Sequence, residues 1–184
     1  MPRPASRSGE EVSPPQNRLD PSRQYTVLLQ TNCGPIAIDL FAKQAPRTAA
    51  AFAHLVQTGY YDDLTFYRVV VGSLIQSGDP DSNGTGGPSW QTIEPPPANF
   101  RYSQGTVAMA KGAGAPSGAS RSQFFIVTGT NVSLPDEYAL VGHVIDGGAA
   151  VEAIAHAPLE ASTTGEDTIP RVPIVIEHAT LTVG

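Results

Sequence analysis

The chain has 184 residues, enough for one domain with some length to spare. It is 40% hydrophobic and only 15% charged, with 18 Gly and 17 Pro, so global disorder, long helical bundles and coiled coils are excluded. A formal net charge of −6 argues against a general nucleic-acid binder, which needs a basic face.

Residues 1–23 hold one Val and one Leu among Pro, Ser, Arg and Glu. They cannot bury enough apolar surface to order themselves, so a flexible polar tail is expected ahead of a domain over residues 24–184. Its loss is expected to leave stability and activity nearly unchanged. Structure is expected to start at Tyr25. Residues 25–31 are β-rich, Asn32-Cys33-Gly34 is a turn, and residues 35–40 alternate Ile36, Ile38 and Leu40 with Pro35, Ala37 and Asp39, a hairpin signature. Pro46 suits the first turn of a helix, where its missing N–H costs nothing. Phe52, Leu55 and Val56 give that helix one apolar stripe, and Gly59 stops it. Strands follow at 65–70 and 73–77. A long Gly/Pro/Asp/Ser loop runs from Gly78 to Asn99, anchored by Trp90 and Ile93; loops of that length in small domains are more often functional than incidental. Further strands are expected at 106–110, 123–128, 139–144 and 172–183, the last bulged. A Gly/Ala/Ser loop covers 112–122, and a second helix covers 148–155 with Val151, Ile154 and Ala155 inward. The pattern implies a mostly β fold, a closed eight-stranded antiparallel barrel capped by two helices.

Several chemistries fail on spacing. Gly84-x-Gly86-Gly87 and Gly112-x-Gly114 open no helix and no Gly-Lys-Ser/Thr closes them, so neither is a phosphate loop. Ala115-Pro116-Ser117-Gly118 lacks the nucleophile elbow of serine hydrolases. Cys33 has no partner for an internal disulfide, and His54, His143, His156 and His178 are scattered without zinc spacing. Neither metal nor cofactor is expected. No apolar run is long enough for a membrane span and no signal peptide is evident. A cytoplasmic protein is expected, with the soluble part of an exported or anchored protein as the alternative.

Two segments carry information. In residues 65–80, TFYRVVVGSLIQSGDP, a hairpin centred on Gly72 puts Arg68 opposite Gln76 and Val70 opposite Leu74. A guanidinium and a carboxamide then stand beside apolar side chains, which also describes a solvated cross-strand pair. In Ser122-Gln123-Phe124-Phe125-Ile126-Val127, the residues Gln123, Phe125 and Val127 face one way and Phe124 and Ile126 the other. One Phe fills the barrel; the other faces a groove or a covering loop.

Together these residues resemble the cyclophilin family of peptidyl-prolyl cis/trans isomerases. The family pattern Phe-His-Arg-Val-Ile-x-x-Phe-Met-Ile-Gln-Gly-Gly-Asp is matched by Phe66-Tyr67-Arg68-Val69-Val70-Val71-Gly72-Ser73-Leu74-Ile75-Gln76-Ser77-Gly78-Asp79. Gly84-Thr85-Gly86-Gly87-Pro88, Val107-Ala108-Met109-Ala110, Ser122-Gln123-Phe124-Phe125-Ile126 and Gly142 also match, as do Thr31-x-x-Gly34-x-Ile36 and Ala45-Pro46-x-Thr48. The likeness covers about residues 25–184, in order and in register.

The resemblance implies that Arg68 is the catalytic arginine and Gln76 its partner. Phe125, Leu74 and Met109 line a proline pocket with Gln123 beside it, and the backbone of Ala110, Lys111 and Gly112 grips the residue before proline. Leu134 and Tyr138 form the far rim. It implies a monomer acting on proline-containing peptides and on unfolded or flexible protein segments. An isomerase is favoured over a Pro-segment binding or chaperone module of the same fold with little turnover. A barrel carrying a small apolar ligand fits poorly, because Phe124 and Ile126 fill the interior. The family usually has His at Tyr67, Phe at Ser73, Met at Leu74, Asn at Lys111, and Trp or another aromatic at Ser133; Tyr138 replaces a frequent His. These departures imply altered substrate choice or rate on an intact fold, and weak binding of the inhibitor cyclosporin.

Overall fold

A computed structural model describes residues 11–161 and 168–184. The strands are β1 (Tyr25–Thr31), β2 (Gly34–Leu40), β3 (Leu64–Thr65), β4 (Arg68–Val70), β5 (Leu74–Ser77), β6 (Thr92–Ile93), β7 (Thr106–Met109), β8 (Ala119–Ser120), β9 (Phe124–Val127), β10 (Leu140–Asp146) and β11 (Val175–Val183). The helices are α1 (Pro46–Gln57) and α2 (Gly148–Ala155). Nine strands form one curled sheet in the order β3-β11-β1-β2-β10-β7-β9-β5-β4, and β6 pairs β8 separately. Every paired strand is antiparallel.

The two end strands of that sheet, β3 and β4, are parts of one chain segment broken only at Phe66 and Tyr67. β3 pairs with β11 and β4 with β5. The sheet is therefore brought almost full circle through the chain itself, without a complete hydrogen-bonded seam. Counting 64–70 as one strand gives the eight that the sequence pattern implies. The bulge expected near the C-terminus is present: Gln30 pairs with His178 and Thr31 with Ile176, leaving Glu177 unopposed.

Alternation decides what fills the barrel. Ile36 and Ile38 of β2, Val107 and Met109 of β7, and Phe124 and Ile126 of β9 all point into one fully buried cluster. α1 closes an end of it. Its Phe52 ring lies 5.3 Å from Phe124, edge to face, and 4.9 Å from Tyr61, whose hydroxyl donates to the Ser122 carbonyl at 3.0 Å. α2 packs Val151, Ile154 and Ala155 inward as the apolar pattern requires. Among the described residues the barrel interior is a packed apolar core. Among the described residues no helix is long and apolar enough to cross a membrane.

α1 lacks an N-cap side chain of its own, because Ala45 occupies that place. Glu94, from the long loop after β5, supplies the missing acceptor: its carboxylate takes the Arg47 N–H at 3.2 Å and the Thr48 N–H at 2.7 Å. A negative group there also complements the helix dipole.

Residues 11–23 differ from the free tail expected of them. Val12 and Leu19 pack against the main core cluster. Trp90 Nε1 donates to the Val12 carbonyl at 2.8 Å, Ser89 Oγ to Glu11 at 2.8 Å, and His54 Nε2 lies 2.8 Å from the Ser13 carbonyl. Two apolar side chains cannot build a core, but they can add to one already formed. Residues 1–10 lie outside the described part.

Candidate active site

The hairpin between β4 and β5 has the register its turn dictates: Arg68 opposite Gln76 and Val70 opposite Leu74. β9 lies on the other side of β5, with Gln76 opposite Phe125 and Leu74 opposite Val127. The outward faces of these strands carry a second apolar cluster that includes Leu74, Phe125, Val127, Ala108 and Tyr102. Phe125 meets Tyr138 edge to face at 5.3 Å, and Tyr102 stands 6.0 Å from Tyr138. Above this floor opens a groove of about 640 Å³. One wall comes from residues 83–86 and Gln91, another from residues 110–112 and Ala115, and Leu134 and Tyr138 form the rim.

Arg68 is exposed at the groove, whereas Gln76 is buried. Arg68 Nη1 donates to Gln76 Oε1 at 3.0 Å. Gln76 Nε2 donates to the Tyr67 hydroxyl at 2.5 Å and to Gln123 Oε1 at 3.2 Å. The Tyr67 hydroxyl donates to Gln123 Oε1 at 2.7 Å, and Gln123 Nε2 donates to the Gly86 carbonyl at 2.9 Å. The chain has one polarity. Gly86 can only accept, which turns the Gln123 oxygen towards Tyr67; the tyrosine proton is then spent, so Gln76 must present its nitrogen to Tyr67 and its oxygen to Arg68. Burial, reinforced by the charge of Asp79, pushes the ionisation of Tyr67 well above the ordinary tyrosine range, so it stays a neutral hydroxyl.

The long loop is tied down by hydrogen bonds to two buried or half-buried charged side chains. The Asp79 carboxylate, wholly buried, accepts the N–H groups of Asp81, Asn83 and Gly84. Arg121 Nε donates to the Pro88 carbonyl and Nη2 to Gly87. A Cβ on Gly86 would collide with Asp79 Oδ1, so the loop can approach Gln123 only with glycine there. On the opposite rim the Tyr102 hydroxyl donates to the Tyr138 carbonyl at 2.8 Å and accepts the Tyr138 N–H at 2.9 Å. Burial raises its ionisation to about 12.

Arg68, Gln76, Leu74, Phe125, Gln123, Ala110, Lys111, Gly112, Leu134 and Tyr138 all line the one groove. Met109 does not, which corrects the expectation drawn for it. It pairs with Phe124, both on the inward phase of their strands, and its side chain lies 1% exposed in the barrel interior. Its neighbour Ala108, opposite Phe125, takes the outward place. Gln123 has both ends of its carboxamide bound within the protein, so it braces the groove as well as lining it. The Ala110 N–H is given to the Gln123 carbonyl at 2.8 Å. The Gly112 carbonyl accepts the Ala115 N–H at 3.1 Å, so among the described residues the Ala110 carbonyl, the Lys111 backbone and the Gly112 N–H remain to meet a ligand. Lys111 folds away from the groove centre: Nζ donates to the Ala115 carbonyl at 3.1 Å and pairs with Glu137 at 3.4 Å. Ser133 is exposed and faces a neighbouring cavity of about 520 Å³. The linking hydroxyl of Tyr67 and the supports from Asp79, Glu94, Tyr102 and Arg121 were not singled out by the sequence. Among the described residues no cluster of His, Cys, Asp or Glu could hold a metal ion.

Comparison with known proteins agrees with this geometry. Residues 26–181 match the family described as cyclophilin type peptidyl-prolyl cis-trans isomerase/CLD. The chain is 33% identical to peptidyl-prolyl cis-trans isomerase A of Mycobacterium tuberculosis over 176 residues, spanning 88% of this chain and 94% of that protein. It is 30% identical to a probable peptidyl-prolyl cis-trans isomerase A of Mycobacterium leprae, spanning 85% and 91%. A cyclophilin-type isomerase from Cryptosporidium parvum, crystallised in the presence of the dipeptide Ala-Pro, superposes with a TM-score of 0.75 at 28% identity, covering 85% of this chain and 98% of that one. With the motif register, the nearly closed barrel and the Arg68–Gln76 groove all in agreement, the chain belongs to the cyclophilin-type peptidyl-prolyl cis-trans isomerases.

Proposed function

We propose that this protein accelerates rotation about X–Pro bonds in flexible peptide segments, with Arg68 as the catalytic donor. The observation that carries the reading is the placement of the Arg68 guanidinium. It is exposed at the groove, beside the apolar floor of Leu74 and Phe125, and held at 3.0 Å by a Gln76 that can turn only one way. The X–Pro amide is kept planar by conjugation, and its uncatalysed isomerisation takes tens to hundreds of seconds. In the twisted transition state the nitrogen becomes pyramidal and regains a lone pair. A donor fixed at that nitrogen stabilises the twisted state more than either planar ground state, which is the condition for acceleration. Phe125, Leu74 and Leu134 offer the proline ring an apolar seat, and the backbone at 110–112 offers hydrogen bonds to the preceding residue. No bond breaks, so no nucleophile is needed.

A protease-coupled assay on an Ala-Pro tetrapeptide tests this. Arg68→Ala should lower turnover by on the order of 10²–10³, the loss of one preorganised donor, while peptide affinity changes little. Arg68→Lys should recover little, because a point charge does not reproduce the planar fork. Turnover unaffected by Arg68→Ala refutes the assignment. Peptide binding by the wild type at the uncatalysed rate would instead make it a Pro-segment binding module.

A further inference from the structure

The wall of the groove between Gly86 and Gln91 is held at both ends by residues 120 and 121, just ahead of β9. Arg121 binds the carbonyls of Gly87 and Pro88, and Thr92 pairs with Ser120 in the β6–β8 ladder. Between these fixed points stand Ser89 and Trp90. Among the described residues their side-chain hydrogen bonds go to one place, the N-terminal segment: Ser89 Oγ to Glu11 Oε2 and Trp90 Nε1 to the Val12 carbonyl, both at 2.8 Å. The next residue, Ser13, meets His54 of α1 through its carbonyl at 2.8 Å. Val12 and Leu19 bury their side chains partly against the same core cluster that takes the Trp90 ring. The segment thus ties α1 to the middle of the wall. Residue 90 lies directly beside Gln91, which lines the groove, and four positions from Gly86, whose carbonyl anchors the chain leading to Arg68.

We propose that residues 11–19 are a strap that positions the 86–91 wall, so that the N-terminal segment sets how tightly the groove binds peptide without taking part in the rotation step. This rests on the groove being the peptide site. Its physical basis is entropy. A wall already fixed does not have to be ordered when peptide binds, whereas a freed one does, at a cost for each side chain immobilised. One such side chain, Gln91, which lines the groove, corresponds to peptide binding weakened by about threefold to tenfold. Turnover at saturation should change little, because Arg121 on the Gly87 carbonyl and Asp79 on the Gly84 N–H still flank Gly86, so the Arg68–Gln76–Tyr67–Gln123 chain keeps its anchor.

Trp90 is the one tryptophan of the protein, so its emission reports whether the strap is seated. In the full chain, Val12→Asp should unseat it, with Val12→Leu as the control that keeps an apolar contact. The expected result for Val12→Asp is a red-shifted emission, faster amide hydrogen exchange across 86–91, and KM for an Ala-Pro tetrapeptide raised about threefold to tenfold with kcat retained. Val12→Leu should resemble the wild type in all three. Emission that shifts while exchange and KM stay put overturns the proposal, as does emission that does not shift at all. If the wild type has no isomerase activity the functional reading fails by itself; hydrogen exchange across 86–91 still decides for or against the strap.

Discussion

Removing one oxygen from the buried hydrogen-bond chain, by Tyr67→Phe, separates an arginine that is merely present from one that is aimed. The hydroxyl makes two bonds, donating to Gln123 Oε1 at 2.7 Å and accepting from Gln76 Nε2 at 2.5 Å. Without it, the two carboxamides still meet each other at 3.2 Å, and Gln123 still holds the Gly86 carbonyl. No buried polar atom is left wholly without a partner, so the stability cost sits low in the usual range, about 1–2 kcal/mol. Gln76, however, loses the shorter of the two contacts that fix which end it offers to Arg68. A flipped carboxamide presents a second donor to a guanidinium that has only donors, and Arg68 then swings free. The share of time it points correctly falls by the worth of about one hydrogen bond, 1–1.5 kcal/mol, or roughly fivefold to tenfold in kcat. In the coupled assay Tyr67→Phe should therefore lose that much kcat with KM nearly kept. Undiminished kcat would show that Tyr67 does not orient the arginine. A loss as deep as that of Arg68→Ala would show that the hydroxyl itself reaches the reacting amide.

Other outcomes follow from the same contacts. Tyr61, Tyr67 and Tyr102 are all held neutral by burial, with ionisation raised above the usual value of 10.0 and that of Tyr102 to about 12. For groups raised in the folded state the stabilisation is full below the unfolded value and lost as pH climbs through the folded one. The melting temperature should thus hold up to about pH 10 and fall steeply by about pH 12; a decline that begins near neutrality would contradict this. Kinetics on Tyr67→His should acquire an acid limb near pH 6.5, because an imidazolium cannot accept from Gln76, while the wild type stays flat from about pH 5.5 to 9; an acid limb already present in the wild type would refute it. Cyclosporin should bind this protein about a hundredfold or more less tightly than it binds relatives with aromatics at the positions of Ser73 and Ser133. Ser133→Trp with Ser73→Phe should recover much of the affinity in a titration, and tight wild-type binding would mean that these positions are misjudged.

Much of the barrel was legible because its determinants are local. Alternation in residues 35–40, the Pro46 and Gly59 helix limits, and the Gly72 turn each fix their element within a few neighbours, and the turn alone sets Arg68 against Gln76. The error at Met109 was also local: counting phase along β7 from its pairing with β9 puts Met109 with Phe124 inside and Ala108 with Phe125 outside. What sequence could not reach were partners 40 to 80 positions away. Glu94 caps α1 across 46 residues, Tyr67 meets Gln123 across 56, and Trp90 meets Val12 across 78. Composition misled at the N-terminus for a related reason, since it measures whether a segment can fold alone and not whether it can dock on what has folded.

The departures from the family pattern fall into two places with different consequences. Ser73 and Ser133 lie outside the lining of the groove itself, and Ser133 faces a neighbouring cavity instead. Tyr67 lies underneath, and there the change narrows the options. A histidine at that point can carry its proton on either nitrogen, or on both, and each choice asks for a different orientation of Gln76. The tyrosine hydroxyl has one proton, given to Gln123, and burial keeps it from leaving. Lys111 completes the pattern, because its charge is drawn off to Glu137 and the Ala115 carbonyl. Arg68 faces the groove's apolar floor with the neutral Gln76 carboxamide as its partner. A reaction that only needs one donor held still at one nitrogen is served by removing the alternatives to that donor.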